Sequence, residues 1–251
     1  MASPFNQKIS VTTALIISNI IIFVLGNFSS TPTIFGIFHP DGPQLEPTTF
    51  VRGAYSWFSC FMEGEVWRLI TYQFLHAGLM HLVFNMWALY FFGPLVEDAM
   101  GSGRFLLFYL SCGVAGALFS SLLASLGLFD TPLTPALEAT LRHLAQYTGY
   151  ESLDLWQLTS MVGASAGIYG VLVAVAFLYP HLRIRMIMPP IDMTMRTFAL
   201  VVLGLAVITI MVNGHNAGGE AGHLGGIILS AIVMSIWRLL YIRRRNNDRT
   251  F

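Results

Sequence analysis

The chain has 251 residues, of which 55% are hydrophobic and only 10% carry a charge, and its formal net charge is zero. A soluble domain carries about 25% charged residues, so this composition excludes an ordinary soluble globular protein and predicts one that uses lipid as part of its solvent. The only dense basic run, Arg243 to Arg245, follows the last apolar segment, so no nucleic acid is expected as a partner.

Six apolar segments approach the length of about 20 residues that a transmembrane helix needs. Several of them are rich in Gly, Ala, Ser and Thr, which permit close helix packing in lipid. We therefore predict an all-α, polytopic membrane protein that forms a single membrane domain over residues 1–251. The predicted spans are residues 11–28, 78–96, 104–128, 160–179, 194–212 and 220–242.

The positions of the basic residues predict how these spans are oriented. With a cytoplasmic N-terminus, Arg52, Arg68 and Arg142 lie outside, and the other ten of the 13 Lys and Arg residues lie inside or at the inner interface. Six spans then leave both termini inside, and residues 243–251 form a basic tail there. The short tails favour the bacterial plasma membrane, with the site described below open to the outer side.

Two predicted outer segments are long. Residues 29–77 are rich in aromatic side chains, which suit the interface between membrane and water. Residues 129–159 predict a short amphipathic helix, in which Leu137, Leu141 and Leu144 share one face, lying on the bilayer surface. The sequence leaves open whether this segment also recruits substrates.

Ionisable residues within membrane spans are costly, so each one indicates a functional site. His81 lies in the second span and His223 in the sixth, while Ser165 opens the fourth. All three spans run from outside to inside, so these residues are expected at a similar depth near the outer face. A serine hydroxyl needs a base to become a nucleophile, so we predict that Ser165 is the nucleophile and His223 the base.

The spacing around these residues favours their close approach. Gly163 with Gly167, and Gly222 with Gly226, form two G-x-x-x-G patterns that let helices pack closely. Tyr169 follows Ser165 by one helical turn and is expected to brace the ring of His223.

Acyl transfer also needs hydrogen-bond donors for the developing oxyanion. His81 and Asn85 are four residues apart on one helix face, and with the backbone N–H of Ser165 they predict such a site. No membrane-embedded Asp or Glu is expected near His223, so a dyad is predicted. Glu220 is the strongest candidate for a third member, but we expect it to be solvated.

At these residues the chain resembles the rhomboid family of intramembrane serine proteases. The resemblance rests on three signatures in the right order and on the right spans. They are Trp67-Arg68 with His76 and His81-x-x-x-Asn85, Gly163-x-Ser165, and Ala221-Gly-His223-x-x-Gly226.

The resemblance implies a six-helix bundle with a water-filled cavity open to the outside. It also implies that Trp67 and Arg68 shape the first loop, that Tyr169 stacks on His223, and that Glu97 is a structural acid near the inner end of the second helix. One departure is Ala166, which stands where the family usually has glycine and is expected to affect substrate fit more than activity.

The resulting prediction is a serine endopeptidase that cuts transmembrane segments of other proteins through an acyl-enzyme, without cofactor or metal. Its partners are the lipid bilayer and transmembrane protein substrates, and its oligomeric state is left open. Two alternatives stay open. One is a membrane chaperone or transporter without chemistry, and the other is a metal-dependent hydrolase that uses His76, His81 and His223 as ligands.

Overall fold

The computed structural model describes residues 9–28, 53–130, 154–185, 190–214 and 216–247. Helices dominate this part of the chain, as expected for apolar segments whose backbone groups must bond one another in lipid. The helices are α1 (Val11–Phe28), α2 (Arg68–Thr71), α3 (Leu79–Met100), α4 (Ser102–Ser125), α5 (Leu155–Leu158), α6 (Ser165–Leu178), α7 (Met195–Met211) and α8 (Ala217–Asn247).

Among the described residues, three helices are long and apolar enough to cross a membrane, namely Leu79–Met100, Ser102–Ser125 and the Ala217–Leu240 part of α8. Three shorter apolar helices, Val11–Gly26, Ser165–Leu178 and Met195–Met211, correspond to the other predicted spans. The count of six spans therefore stays a prediction, as do the orientation of the termini and the single domain over residues 1–251.

Several predicted boundaries shift. The helix of the fourth predicted span, α6, begins at Ser165 and not at residue 160. The helix of the sixth predicted span, α8, begins at Ala217 and continues to Asn247, within the predicted basic tail. The predicted amphipathic helix in 129–159 falls mostly on residues 131–153, which lie outside the described residues, as do residues 29–52 of the first outer segment.

A short antiparallel ribbon was not expected from the sequence. Strand β1 (Arg183–Arg185) pairs with β2 (Asp192–Thr194), so that Ile184 faces Met193. Each strand has only three residues, which is too short for the alternating pattern that identifies a strand in sequence. The described part of the chain is thus mostly helical, with one small ribbon between α6 and α7.

Helix α6 lies at the centre of the bundle. Nine of its 14 residues are buried, and Val171, Ala174 and Val175 are fully enclosed. It packs against α3, α4 and α8. A helix enclosed by protein is shielded from lipid, so its length need not match the bilayer.

The contact between α4 and α8 depends on glycine. A Cβ atom added at Gly225 of α8 would lie 2.6 Å from the carbonyl oxygen of Ala115, and one added at Gly116 of α4 would lie 2.7 Å from the carbonyl oxygen of Gly222. Both distances are far below ordinary contact, so these helices approach to backbone distance. The same added Cβ at Gly116 would lie 2.5 Å from the Cβ of Ala166 on α6, so the methyl group of Ala166 meets Gly116.

Glu97 fastens α1 to α3. Its carboxylate accepts hydrogen bonds from the backbone N–H groups of Val11 and Thr12, each at 2.8 Å, from the hydroxyl of Thr12 at 2.7 Å and from the hydroxyl of Ser102 at 2.7 Å. The first N–H groups of a helix have no partner within it, and a negative charge is favourable there. Glu97 is only 5% exposed, so it caps α1 from a neighbouring helix.

Candidate active site

Ser165 is the first residue of α6, and backbone pairing with distant residues holds the segment before it. Backbone hydrogen bonds pair Met161 with Tyr55 of the first outer segment at 2.7 and 3.0 Å, and the N–H of Gly163 donates to the carbonyl of Tyr72 at 2.9 Å. The first outer segment thereby holds the approach to Ser165 in place.

Gly163 has a backbone conformation that residues with a side chain rarely adopt, with φ of +125°. A Cβ atom at this position would also lie 2.8 Å from Cε1 and 3.0 Å from Nε2 of His81. Glycine is therefore required both by the turn and by the imidazole that lies against it.

Ser165 and His223 are brought into direct contact. The Oγ of Ser165 and the Nε2 of His223 lie 2.9 Å apart, although the two residues are 58 positions apart in sequence. The close approach of α8 to α6 at Gly226, where an added Cβ would strike the backbone of Ala166, makes this contact possible. A histidine at this distance can take the proton of a serine hydroxyl.

The ring of Tyr169 lies against the same imidazole. The ring centres of Tyr169 and His223 are 3.9 Å apart and the planes differ by 15°, which is a stacked arrangement. This contact holds the imidazole on the α6 side, where it faces Ser165.

Glu220 differs from its sequence-based expectation. It lies in the first turn of α8, its Oε2 is 3.0 Å from Nδ1 of His223, and its side chain is only 22% exposed. The expectation that Glu220 is solvated is therefore wrong. The i, i+3 spacing between Glu220 and His223 was the signal for this contact in the sequence. The spacing brings the two side chains together because α8 begins before Glu220.

His81 and Asn85 lie on one face of α3, and His81 lines the same cavity as Ser165. The N–H of Ala77 donates to Nδ1 of His81 at 3.4 Å, so the hydrogen of the neutral ring is assigned to Nε2, which faces Gly163. Asn85 is 7% exposed, and its Nδ2 has no hydrogen-bond partner among the described residues. Buried donors are normally paired. An unpaired amide at this position is therefore available to donate a hydrogen bond to a bound group.

His76 is buried behind these groups. It is 3% exposed, its ring centre lies 5.0 Å from that of His81, and neither ring nitrogen has a hydrogen-bond partner within the described part of the chain. Burial, and next the neighbouring ring of His81, lowers the pKa of His76 to about 3. His76 is therefore neutral at ordinary pH.

Trp67 and Arg68 lie in the first outer segment, away from the serine. The side chain of Trp67 is 52% exposed, whereas Arg68 is buried and donates to the carbonyl of Ala54 at 2.7 Å and to Glu65 at 2.5 Å. Arg68 thus ties this segment together. Glu97 caps α1 at the far end of α3 and does not reach the site.

A cavity of about 840 Å³ adjoins the serine. Its rim includes Asp130 and Asn213, which sequence reasoning missed. The N–H of Asp130 donates to Asn213 Oδ1 at 2.9 Å, and the amide of Asn213 donates to the Asp130 carboxylate at 2.5 Å. These bonds tie the end of α7 to the end of α4. The cavity is lined by His81, Gly163, Ser165, Ala166, Gly222 and His223, among others.

The hypothesis of a three-histidine metal site finds no support in this geometry. Within residues 9–28, 53–130, 154–185, 190–214 and 216–247, no group of three or more His, Cys, Asp or Glu side chains is placed to hold a metal ion.

A bundle of apolar helices that holds a serine hydroxyl against a histidine ring, beside a cavity, defines an integral membrane protein with a serine–histidine pair. A family model described as the Rhomboid domain matches residues 63–239, which is more than half of the chain. The chain belongs to the rhomboid family, and the resemblance noted in the sequence is confirmed.

Several named relatives share parts of the chain. Rhomboid protease GluP of Bacillus subtilis is 40% identical over 87 residues, which cover 35% of this chain and 17% of the relative. Rhomboid protease AarA of Providencia stuartii is 27% identical over 179 residues, covering 68% of this chain and 56% of the relative. Inactive RHOMBOID-like protein 8 of Arabidopsis thaliana is 34% identical over 85 residues, covering 33% and 24%.

The chain spans less than two thirds of the length of each of these relatives. The family includes members named as proteases and a member named as inactive, so membership alone does not decide activity. The local geometry of the site is the observation that bears on activity.

Proposed function

We propose that this chain is an intramembrane serine endopeptidase that hydrolyses peptide bonds in or near transmembrane segments of other proteins. The observation that carries the proposal is the 2.9 Å contact between the Oγ of Ser165 and the Nε2 of His223. Ser165 is the nucleophile and His223 the general base and acid.

In the first step, Nε2 of His223 takes the hydroxyl proton while the Oγ of Ser165 attacks the carbonyl carbon of the substrate. The carbonyl π electrons move to its oxygen and give a tetrahedral oxyanion. When this intermediate collapses, the C–N bond breaks, and the leaving nitrogen takes the proton from His223. The product is an ester between Ser165 and the N-terminal part of the substrate.

The oxyanion needs donors that are already in place. The Nε2–H of His81, the unpartnered Nδ2 of Asn85 and the backbone N–H of Ser165 fill this role. Ser165 is the first residue of α6, and the N-terminus of a helix favours negative charge.

In the second step, water enters through the cavity, and His223 takes one of its protons. The resulting attack on the ester carbon releases the substrate acid, and Ser165 regains its proton from His223. No cofactor is needed for either step.

For the membrane arrangement we propose six spans, with both termini on the cytoplasmic side of a bacterial plasma membrane and the site open to the outer side. The distribution of Lys and Arg supports this orientation. Helix α6 has 14 residues and is about 21 Å long, which is shorter than the apolar core of about 30 Å. This short length supports a position of its first residue, Ser165, below the outer surface.

The proposed substrates are transmembrane helices that unwind locally. Carbonyl groups within a helix are bonded to N–H groups, so the cut site must open first, which favours helix-breaking or small residues there. We propose entry beside α7. Among the residues of this helix only Met195, Ala206 and Ile210 are buried, so the described part of the chain leaves most of its surface uncovered.

The experiment is cleavage of a model transmembrane substrate by purified protein in detergent. Wild type is compared with Ser165→Ala and His223→Ala, and also with two controls outside the site. Ser125→Ala changes an exposed serine at the end of α4, and His181→Ala changes an exposed histidine. Labelling by a serine-directed fluorophosphonate is measured in parallel.

We expect cleavage and labelling by wild type and by both controls, and loss of cleavage in both site variants at unchanged thermal stability. Equal cleavage by all five proteins would contradict the proposal, because another protease would be responsible. Absence of both cleavage and labelling in folded wild type would favour a membrane protein without proteolytic chemistry.

A further inference from the structure

His223 is bonded on both of its ring nitrogens. Its Nε2 lies 2.9 Å from the Oγ of Ser165, and its Nδ1 lies 3.0 Å from Oε2 of Glu220. The side chains of His223 and Glu220 are only 13% and 22% exposed, so both contacts are largely sheltered from water. The serine, the histidine and the carboxylate thus form a continuous chain.

The carboxylate determines which nitrogen carries the proton. An ionised carboxylate only accepts hydrogen bonds, so Nδ1 must carry a hydrogen to bond Glu220. In a neutral imidazole the other nitrogen then has no hydrogen. Nε2 is therefore the acceptor, and the hydroxyl of Ser165 donates to it, which is the tautomer that a general base needs.

We propose that Glu220 is a positioning residue that turns the serine–histidine pair into a three-membered arrangement, by holding His223 in this tautomer and stabilising the cation that forms when His223 takes the serine proton. The proposal rests on the function proposed above. In this role Glu220 corresponds to the aspartate in the serine, histidine and aspartate arrangement of soluble proteases, which orients the histidine and stabilises its cation.

The surroundings of His223 support this role. Among the described residues, titratable groups from three elements interact with it: Glu220 on its own helix, Tyr169 from α6 and, electrostatically, His81 from α3. Tyr169 contacts the face of the ring, and His81 lies toward the serine side. Among these groups Glu220 is the one that supplies a negative charge.

Glu220 does not line the cavity, whereas Gly219, Gly222 and His223 do. Its effect should therefore appear in kcat and leave KM unchanged. A residue that binds substrate would change KM, and a residue that only supports the fold would change thermal stability.

The experiment compares Glu220→Gln and Glu220→Ala with wild type. Asp98→Asn is the matched control, because it removes an exposed acid near the C-terminal end of α3. We expect kcat to fall about 10- to 100-fold in both Glu220 variants, less than the roughly 10⁴-fold loss in the triad of soluble proteases because Glu220 is partly open to water. KM should stay within about twofold of wild type.

Glu220→Gln is not expected to keep more activity than Glu220→Ala, because its amide lacks the charge and can donate to Nδ1, which holds the wrong tautomer. Asp98→Asn should match wild type. A kcat of either Glu220 variant within about twofold of wild type, or a loss that appears only in KM, would overturn the proposal.

A second measurement does not depend on proteolysis. In ¹⁵N-histidine-labelled protein, the resonances of His223 are assigned by their absence in His223→Ala. We expect wild type to show a protonated Nδ1 and an unprotonated Nε2, and Glu220→Ala to show a shift toward the other tautomer. An identical His223 spectrum in both proteins would overturn the proposal, whether or not wild type cleaves, whereas failure of the proposed function appears as absent cleavage and absent labelling in wild type.

Discussion

The ring of Tyr169 lies face to face with the imidazole of His223, with ring centres 3.9 Å apart and planes differing by 15°. A stacked pair of this kind contributes about 0.5–1.5 kcal/mol. If the stacking positions the imidazole, Tyr169→Phe should retain activity within about twofold, and Tyr169→Leu should lose about 2- to 10-fold in kcat. Steady-state kinetics on one transmembrane substrate test this. Equal losses in both variants would assign the role to the hydroxyl instead.

The carboxylate of Glu97 should stabilise the fold and leave the chemistry unaffected. Glu97→Gln keeps the shape of the side chain but replaces one accepting oxygen with a donor, which faces the N–H groups of α1. We expect a loss of about 1–3 kcal/mol in the free energy of unfolding, measured in mixed micelles. Asp98→Asn, which changes the exposed neighbouring acid, is the control and should have little effect. Equal stability of the two variants would contradict the capping role.

Close packing between α4 and α8 should make Gly116 intolerant of a methyl group. An added Cβ would lie 2.5 Å from Ala166 Cβ and 2.7 Å from the carbonyl oxygen of Gly222, so Gly116→Ala is expected to cost about 1–3 kcal/mol. The control is Gly204→Ala within α7, where nothing lies within 4 Å. That variant should be neutral, or more stable by about 0.5–1 kcal/mol. Thermal unfolding in detergent distinguishes the two, and a stable Gly116→Ala would refute the predicted clash.

The buried ring of His76 should make the fold sensitive to acid. Its pKa falls from 6.5 to about 3 in the folded chain, so the unfolded chain binds a proton first as pH falls. The stability is fully present above pH 6.5 and declines down to about pH 3. By pH 5 the loss from this group is about 2 kcal/mol.

His76→Gln removes the titrating group and should reduce the drop in unfolding temperature between pH 7.5 and pH 5. The control is His181→Gln, which changes an exposed histidine and should leave that drop unchanged. An identical drop in wild type and His76→Gln would show that His76 does not carry the acid sensitivity.

The hydrogen bonds between Asn213 and Asp130 should restrain α7. Asn213 has a positive φ of 48°, which glycine adopts easily, so Asn213→Gly removes the side chain without straining the turn. If substrates enter beside α7, this variant should cleave transmembrane substrates up to about tenfold faster, since each lost bond is worth about 0.5–1.5 kcal/mol.

Cleavage of an unfolded soluble substrate, which does not pass α7, is the internal comparison and should not change. A crosslink between α7 and α3 should have the opposite effect and abolish cleavage of membrane substrates. Unchanged activity in the crosslinked protein would refute lateral entry.

The sequence by itself determined the apolar helices and drew attention to Ser165, His81 and His223. Polar and ionisable groups are costly in lipid, so they stand out in apolar segments, and their spacing from segment starts gives their depth. The same reasoning identified Tyr169 and Asn85, because residues three or four apart share a helix face.

Only the tertiary structure decided where the helices around the site begin. Residues 161–164 lie outside the helix, where Met161 pairs with Tyr55 and Gly163 with Tyr72, and these partners are distant in sequence. Helix α8 begins at Ala217, so Glu220 falls one turn before His223 and against its ring. A local pattern records charge and spacing, but whether a carboxylate faces water or an imidazole depends on the packing of the helices that enclose it.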